Sequence, residues 1–181
     1  MSLLNVRPGD NLPHECNVIV EIPKHADPVK YEVDKTSGVL IVDRFISSLM
    51  RYPCNYGFIP ETIADDGDPV DVLVVTPFPV VHGAVIPCRA VGMLSMDDEG
   101  GGDAKIIAVP SDKLTPLYHD VRTYEDLPEI TLEQIKHFFE LYKALEPGKW
   151  VKIKGWQGIA EAHAEIMQGI EQYRKKIFTG I

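Results

Sequence analysis

Short apolar runs with β-branched residues recur along the first two thirds of the chain, at 17–22, 29–33, 39–42, 71–75, 84–91 and 105–109, and once more at 150–153. Alternation or continuous Val, Ile and Leu over this length predicts strands. Fourteen prolines and fourteen glycines punctuate the gaps, which suits a fold with many turns. Toward the C-terminus the apolar spacing lengthens. Ile135, Phe138, Phe139 and Tyr142 predict a helix over 131–145, and Ile159, Ile166, Ile170, Tyr173 and Ile177 a second over 158–178. Strands first and helices last predict an α+β fold, a β-barrel with two C-terminal helices packed against it. No repeat or linker divides residues 1–181, so one domain is expected, with Gly100-Gly101-Gly102 as a loop between strands.

Polar residues interrupt the early strands in a consistent way. In Val29-Lys30-Tyr31-Glu32-Val33-Asp34, alternation places Lys30, Glu32 and Asp34 on one face and the apolar residues on the other. Glu21 lies within Val18-Ile19-Val20-Glu21-Ile22, and Arg44 follows Val39-Leu40-Ile41-Val42-Asp43. Each alone reads as a surface charge on a half-exposed strand. Together they describe a face mixing carboxylates with cations, able to hold metal ions and phosphate oxygens at once.

The densest chemistry is Asp65-Asp66-Gly67-Asp68-Pro69-Val70-Asp71, just before an apolar strand. Carboxylates this close repel unless a cation binds them, and an oxygen-only donor set suits a hard ion such as magnesium. Taken alone, the run reads slightly better as a solvated acidic turn, because Asp and Gly favour turns anyway. It is not an EF-hand: counted from Asp66, positions five and twelve are Val70 and Pro77, where that loop needs oxygen ligands. A second cluster, Asp97-Asp98-Glu99 followed by Asp103-Ala104-Lys105, reads alone as an acidic hairpin tip. Tyr52 and Tyr56 flank Pro53-Cys54-Asn55, and Tyr142 precedes Lys143; a phenol can donate to a phosphate oxygen, though tyrosine is more often a core or rim residue.

Charge narrows the function. Eighteen Lys and Arg against 27 Asp and Glu give a net charge of −9, which disfavours nucleic acid as a partner. No apolar run reaches the roughly 20 residues of a membrane helix, and the first residues do not read as a secretory signal. Cys16, Cys54 and Cys88 are widely spaced and form no CxxC pair, so they are expected as buried thiols kept reduced in the cytoplasm. The six histidines show no ligand-like spacing, although His137 suits a subunit contact, and the P-loop, GxSxG and HExxH motifs are all missing.

With these residues in view, the chain resembles the family I soluble inorganic pyrophosphatases, particularly the compact bacterial type. The family signature is Asp, a small or polar residue, Asp, Pro or Glu, an apolar residue, Asp, and another apolar residue; Asp66-Gly67-Asp68-Pro69-Val70-Asp71-Val72 fits it throughout. Glu21, Lys30, Glu32, Arg44, Tyr52 and Tyr56 lie where that family has active-site residues before the signature. Asp98, Asp103 and Lys105 match its second acidic segment, and Tyr142 with Lys143 its late Tyr-Lys pair on the first helix. The resemblance implies a five-stranded barrel like an OB-fold, a cytoplasmic homohexamer, pyrophosphate as substrate and several Mg2+ ions as cofactor, with Mn2+ or another divalent ion able to substitute.

It also implies roles. Asp66, Asp71 and Asp103 would hold a first metal, Asp71 bridging to a second, while Asp98 and Asp103 would take ions arriving with substrate. Asp68 is the candidate general base for the attacking water. Lys30, Arg44, Tyr56, Lys105, Tyr142 and Lys143 would bind phosphate oxygens, with Glu21, Glu32 and Tyr52 in support. Magnesium would then supply the positive charge an acidic protein needs to bind an anion. Two other classes fit parts of the pattern. An OB-like nucleic-acid module predicts a basic groove, against the net charge, and a metal buffer leaves Lys30, Arg44, Tyr142 and Lys143 unexplained.

Overall fold

The computed structural model describes residues 3–179. Eight strands and two helices follow one another as β1 (Cys16–Ile22), β2 (Val29–Val33), β3 (Leu40–Phe45), β4 (Asn55–Phe58), β5 (Asp71–Val74), β6 (Val85–Asp98), β7 (Gly101–Pro110), α1 (Glu129–Leu141), β8 (Val151–Gln157) and α2 (Ile159–Thr179). Five strands close a ring in the order β1-β4-β5-β7-β6, with β6 returning to β1. This is the expected OB-like barrel. β8 extends the sheet beyond β6, and β2 and β3 form a separate antiparallel ribbon. No helix among the described residues is long and apolar enough to cross a membrane.

Closure depends on the length of β6. Its start pairs with β1, Cys16 opposite Cys88 and Ile19 opposite Val85, and its far end pairs with β8 from Met93 to Asp98. A register shift between Ala90 and Gly92 bends the strand between these two partners. The sequence reading stops this strand at residue 91, whereas the strand runs on to Asp98 through a stretch that carries Gly92, Ser95 and Asp97. The polar positions among these lie toward the β6–β7 tip. Gly101 and Gly102, expected in a loop, instead pair with Asp98 and Asp97, leaving only Glu99 and Gly100 as the turn.

Both faces of the barrel strands are covered, which explains apolar runs such as Val72-Leu73-Val74-Val75. Val18, Val20, Val72, Val74, Ile106 and Ala108 join Ala162 and Ile166 of α2 in one core cluster. Leu73, Val75, Ile107, Val109, Leu94 and Met96 join Ile135, Phe138, Phe139 and Tyr142 in the other. Alternation then places Asp71, in register with Leu73 and Val75, on the face that meets α1.

Three elements differ from the sequence reading. β4 was not expected, since Asn55-Tyr56-Gly57-Phe58 is short and contains glycine. Tertiary contact makes it a strand: a Cβ on Gly57 would lie 1.9 Å from the Ile19 carbonyl oxygen. Gly57→Ala is therefore expected to cost more than about 3 kcal/mol, because backbone and not a flexible side chain must yield. Urea unfolding reads this directly, and an unchanged midpoint would show that β1 and β4 separate freely. Helix α1 ends at Leu141, four residues early. Tyr142 caps it, donating its N–H to the Phe138 carbonyl, while its own carbonyl accepts from the Ser48 hydroxyl at 3.1 Å. In α2 only the middle of the expected stripe is buried; Ile159 and Ile177 are exposed, the helix being longer than the surface it covers.

Candidate active site

The acidic run turns sharply at Gly67, whose φ of +87° is open to glycine but strained for other residues. Its N–H donates to the Ala64 carbonyl, and Asp66 Oδ1 accepts the Asp68 N–H at 2.9 Å. Gln168 and Gln172 of α2 both donate to Asp65 Oδ1 at 3.0 Å, tying the loop to the helix. Asp71 then opens β5, directly opposite Lys105 of the parallel strand β7.

Register brings the central groups together. Asp103 precedes Lys105 by two residues and so shares its face. Lys105 Nζ lies 2.5 Å from Asp71 Oδ2 and 2.8 Å from Asp103 Oδ1. Burial works to lower the Lys105 pKa, yet Asp71 and Asp103 outweigh it and hold the ammonium well above its usual value. Asp103 is raised, first by burial and then by the charges of Asp71 and Asp66, with Lys105 opposing. Glu21 is buried and accepts the Val33 N–H at 2.7 Å. Burial, reinforced by Asp71 and Glu32, pushes its pKa up to about 8.

The β2–β3 ribbon supplies two cations side by side, since Lys30 and Arg44 face each other across it. Lys30 pairs with Glu32 and lies 3.6 Å from Asp43, whose Oδ2 also accepts from Arg44 Nη1 at 3.0 Å. Lys143, expected on the helix, sits in the turn after it. That turn lets its ammonium reach Asp98 Oδ2 at 2.6 Å on the β6–β7 hairpin. Glu99 braces the same hairpin through Lys149 at 2.5 Å; although burial opposes it, the Lys149 hydrogen bond helps lower its pKa to about 2.

The tyrosines form the floor. Tyr52 and Tyr56 pack with ring centroids 4.9 Å apart, Tyr52 lies 4.5 Å from Phe138, and Phe138 stacks on Tyr142 at 5.0 Å. Burial raises all three phenols, so they remain protonated donors. A cavity of about 550 Å³ opens beside this floor, lined by Glu21, Lys30, Glu32, Tyr56, Asp68 and Asp71 among others. Tyr173 and Lys176 of α2 form part of its wall, though periodicity assigned Tyr173 to the core stripe.

Asp68 stands apart from the other carboxylates. Its side chain is 62% exposed and pairs with Lys35, a contact no local pattern signals. Asp43, Glu146 and Lys149 were likewise missed, because each meets its partner through the ribbon or the turn after α1.

Asp71 and Asp103 around Lys105, with Asp66 on the turn before them, present an oxygen-only donor set. Among the described residues, no three His, Cys, Asp or Glu side chains already enclose an ion position. Burial, with the charges of Asp71 and Asp66 adding and Lys105 opposing, nonetheless raises the Asp103 pKa, and Asp71 and Asp103 converge on a single ammonium, that of Lys105, at 2.5 and 2.8 Å. Hard oxygen donors carrying this excess negative charge fit a hard divalent cation.

The inorganic pyrophosphatase family profile matches residues 18–174. The inorganic pyrophosphatase of Ralstonia nicotianae is 61% identical over 175 residues, covering 97% of this chain and all of that protein. This chain belongs to the inorganic pyrophosphatases. The Escherichia coli K12 inorganic pyrophosphatase is 56% identical over 176 residues, 97% of this chain and 100% of its own length. Among solved structures, the Thermus thermophilus inorganic pyrophosphatase superposes with a TM-score of 0.90 at 40% identity, covering 96% of this chain and 99% of that one. The protein is thus a family I inorganic diphosphatase, an enzyme that hydrolyses pyrophosphate, built on the OB-like barrel described above.

Proposed function

We propose that this pyrophosphatase is magnesium-dependent and that its own carboxylates and cations divide the work as follows. Asp66, Asp71 and Asp103 would hold a resident ion, Asp71 would also serve a second, and Asp98 with Asp103 would receive ions that accompany pyrophosphate. Mn2+ or another divalent ion can substitute. Ions bound there would supply positive charge against the phosphoryl oxygens and lower the pKa of a water toward neutrality. Asp68 accepts the proton of the attacking water. Lys30 and Arg44 grip phosphoryl oxygens from the ribbon, Lys143 from the opposite side, and Tyr56 and Tyr142 donate from the floor. Lys105 adds a fixed positive charge between Asp71 and Asp103, Glu21 and Glu32 orient the ribbon, and Tyr52 supports Tyr56.

The observation that carries this reading is geometric: Asp71 and Asp103 meet at Lys105, 2.5 and 2.8 Å from its ammonium, and Asp71 also lines the cavity that Lys30, Glu32, Tyr56 and Asp68 share. Phosphate release from pyrophosphate should vanish after exhaustive chelation and return on adding magnesium. Full hydrolysis after chelation would falsify the dependence. We read residues 1–181 as one catalytic domain of a cytoplasmic protein with neither nucleic-acid nor membrane partners, assembled as a homohexamer. Phe45 and Leu49, 76% and 90% exposed, supply apolar surface for such contacts; a monomer by light scattering would refute the assembly.

A further inference from the structure

Glu146 lies in the turn after α1, and no local pattern in the sequence points to it. Its N–H donates to the Lys143 carbonyl at 2.9 Å, and its carbonyl accepts the Lys149 N–H at 3.2 Å. The side chain is only 13% exposed, and its Oε2 stands 3.6 Å from Arg44 Nε. Both Arg44 Nε and Glu146 Oε1 are buried without a hydrogen-bond partner. A buried guanidinium nitrogen and a buried carboxylate that each keep an unpartnered atom while standing 3.6 Å apart are not a stability device, since buried groups are ordinarily satisfied.

Placing a carboxylate beside a cation that binds a polyanion works against affinity through repulsion. It is useful only if it orients that cation. We infer that Glu146 is a positioning residue for Arg44, aiming the guanidinium at the substrate phosphoryl group. The inference rests on the substrate-binding role proposed for Arg44. Arg44 Nη1 donates to Asp43 at 3.0 Å and Nε faces Glu146 at 3.6 Å, so Nη2 is the guanidinium nitrogen that neither of these carboxylates engages. A planar fork restrained on two sides has one free direction. Closing the 3.6 Å gap to hydrogen-bonding distance takes a shift of about 0.8 Å. Lys143 and Glu146 occupy one turn, so that turn presents one phosphate-binding cation and steers the other.

The experiment compares Glu146→Gln, Arg44→Lys and the double variant at saturating magnesium, reading kcat, KM for pyrophosphate and competitive inhibition by inorganic phosphate. Glu146→Gln keeps the shape and removes the charge. It should raise KM and the phosphate inhibition constant together, about threefold to tenfold, with kcat within about twofold of wild type. In the Arg44→Lys background the same change should move neither constant, because the planar fork it steers is gone. Equal shifts in both backgrounds, or no shift in either, overturn the inference. If Arg44→Lys alone keeps the wild-type KM, the role given to Arg44 fails first and the inference falls with it.

Discussion

Replacing Asp71 by asparagine is expected to collapse turnover and magnesium affinity together, by more than about a hundredfold each, with the barrel intact by circular dichroism. Asp71 carries several functions at once. It opens β5, sits in register with Lys105, and holds that buried ammonium at 2.5 Å. The amide keeps the shape but loses the charge, so the proposed bridging ligand disappears. Lys105 is then left with Asp103 alone, which should cost about 2 kcal/mol of metal-free stability, typical of a lost hydrogen bond to a charged group. Calorimetric magnesium titration and thermal unfolding without metal measure the two effects separately. Near-normal turnover at ordinary magnesium levels would reduce Asp71 to a turn residue.

Asp68→Asn should lower turnover by about a hundredfold to ten-thousandfold, the usual contribution of a general base, while leaving magnesium affinity nearly unchanged. The structure makes this a clean test. Asp68 and its partner Lys35 are each 62% exposed, so losing their ion pair has little effect on stability. The carboxylates of Asp66, Asp71 and Asp103 remain to hold the ion. A lost ligand is partly rescued by raising magnesium, whereas a lost proton acceptor is not. Rate measured against magnesium for both variants separates the roles. If added magnesium restores Asp68→Asn to wild-type turnover, Asp68 is a ligand and the base lies elsewhere.

Local spacing was enough to determine much of this protein. Two-residue alternation identifies β2, a continuous apolar run identifies β5, and three-to-four spacing identifies both helices, because these periods follow from backbone geometry within a few residues. The chemistry of the Asp66 to Asp71 run and its likeness to a family were legible for the same reason: the residues that carry them are neighbours in the chain. Tertiary structure decided the rest. Gly57 makes a strand of an unpromising tetrapeptide only because the Ile19 carbonyl passes so close. The barrel closes because β6, paired with β7 along its length, bends so that its start meets β1, a choice of register that no single segment contains. Lys105 falls between Asp71 and Asp103 through the parallel pairing of β5 and β7. Glu146 reaches Arg44 because α1 stops at Leu141 and the turn beyond it folds back toward the ribbon. Each of these contacts depends on the relative placement of whole elements, which packing of both barrel faces sets and local pattern does not encode.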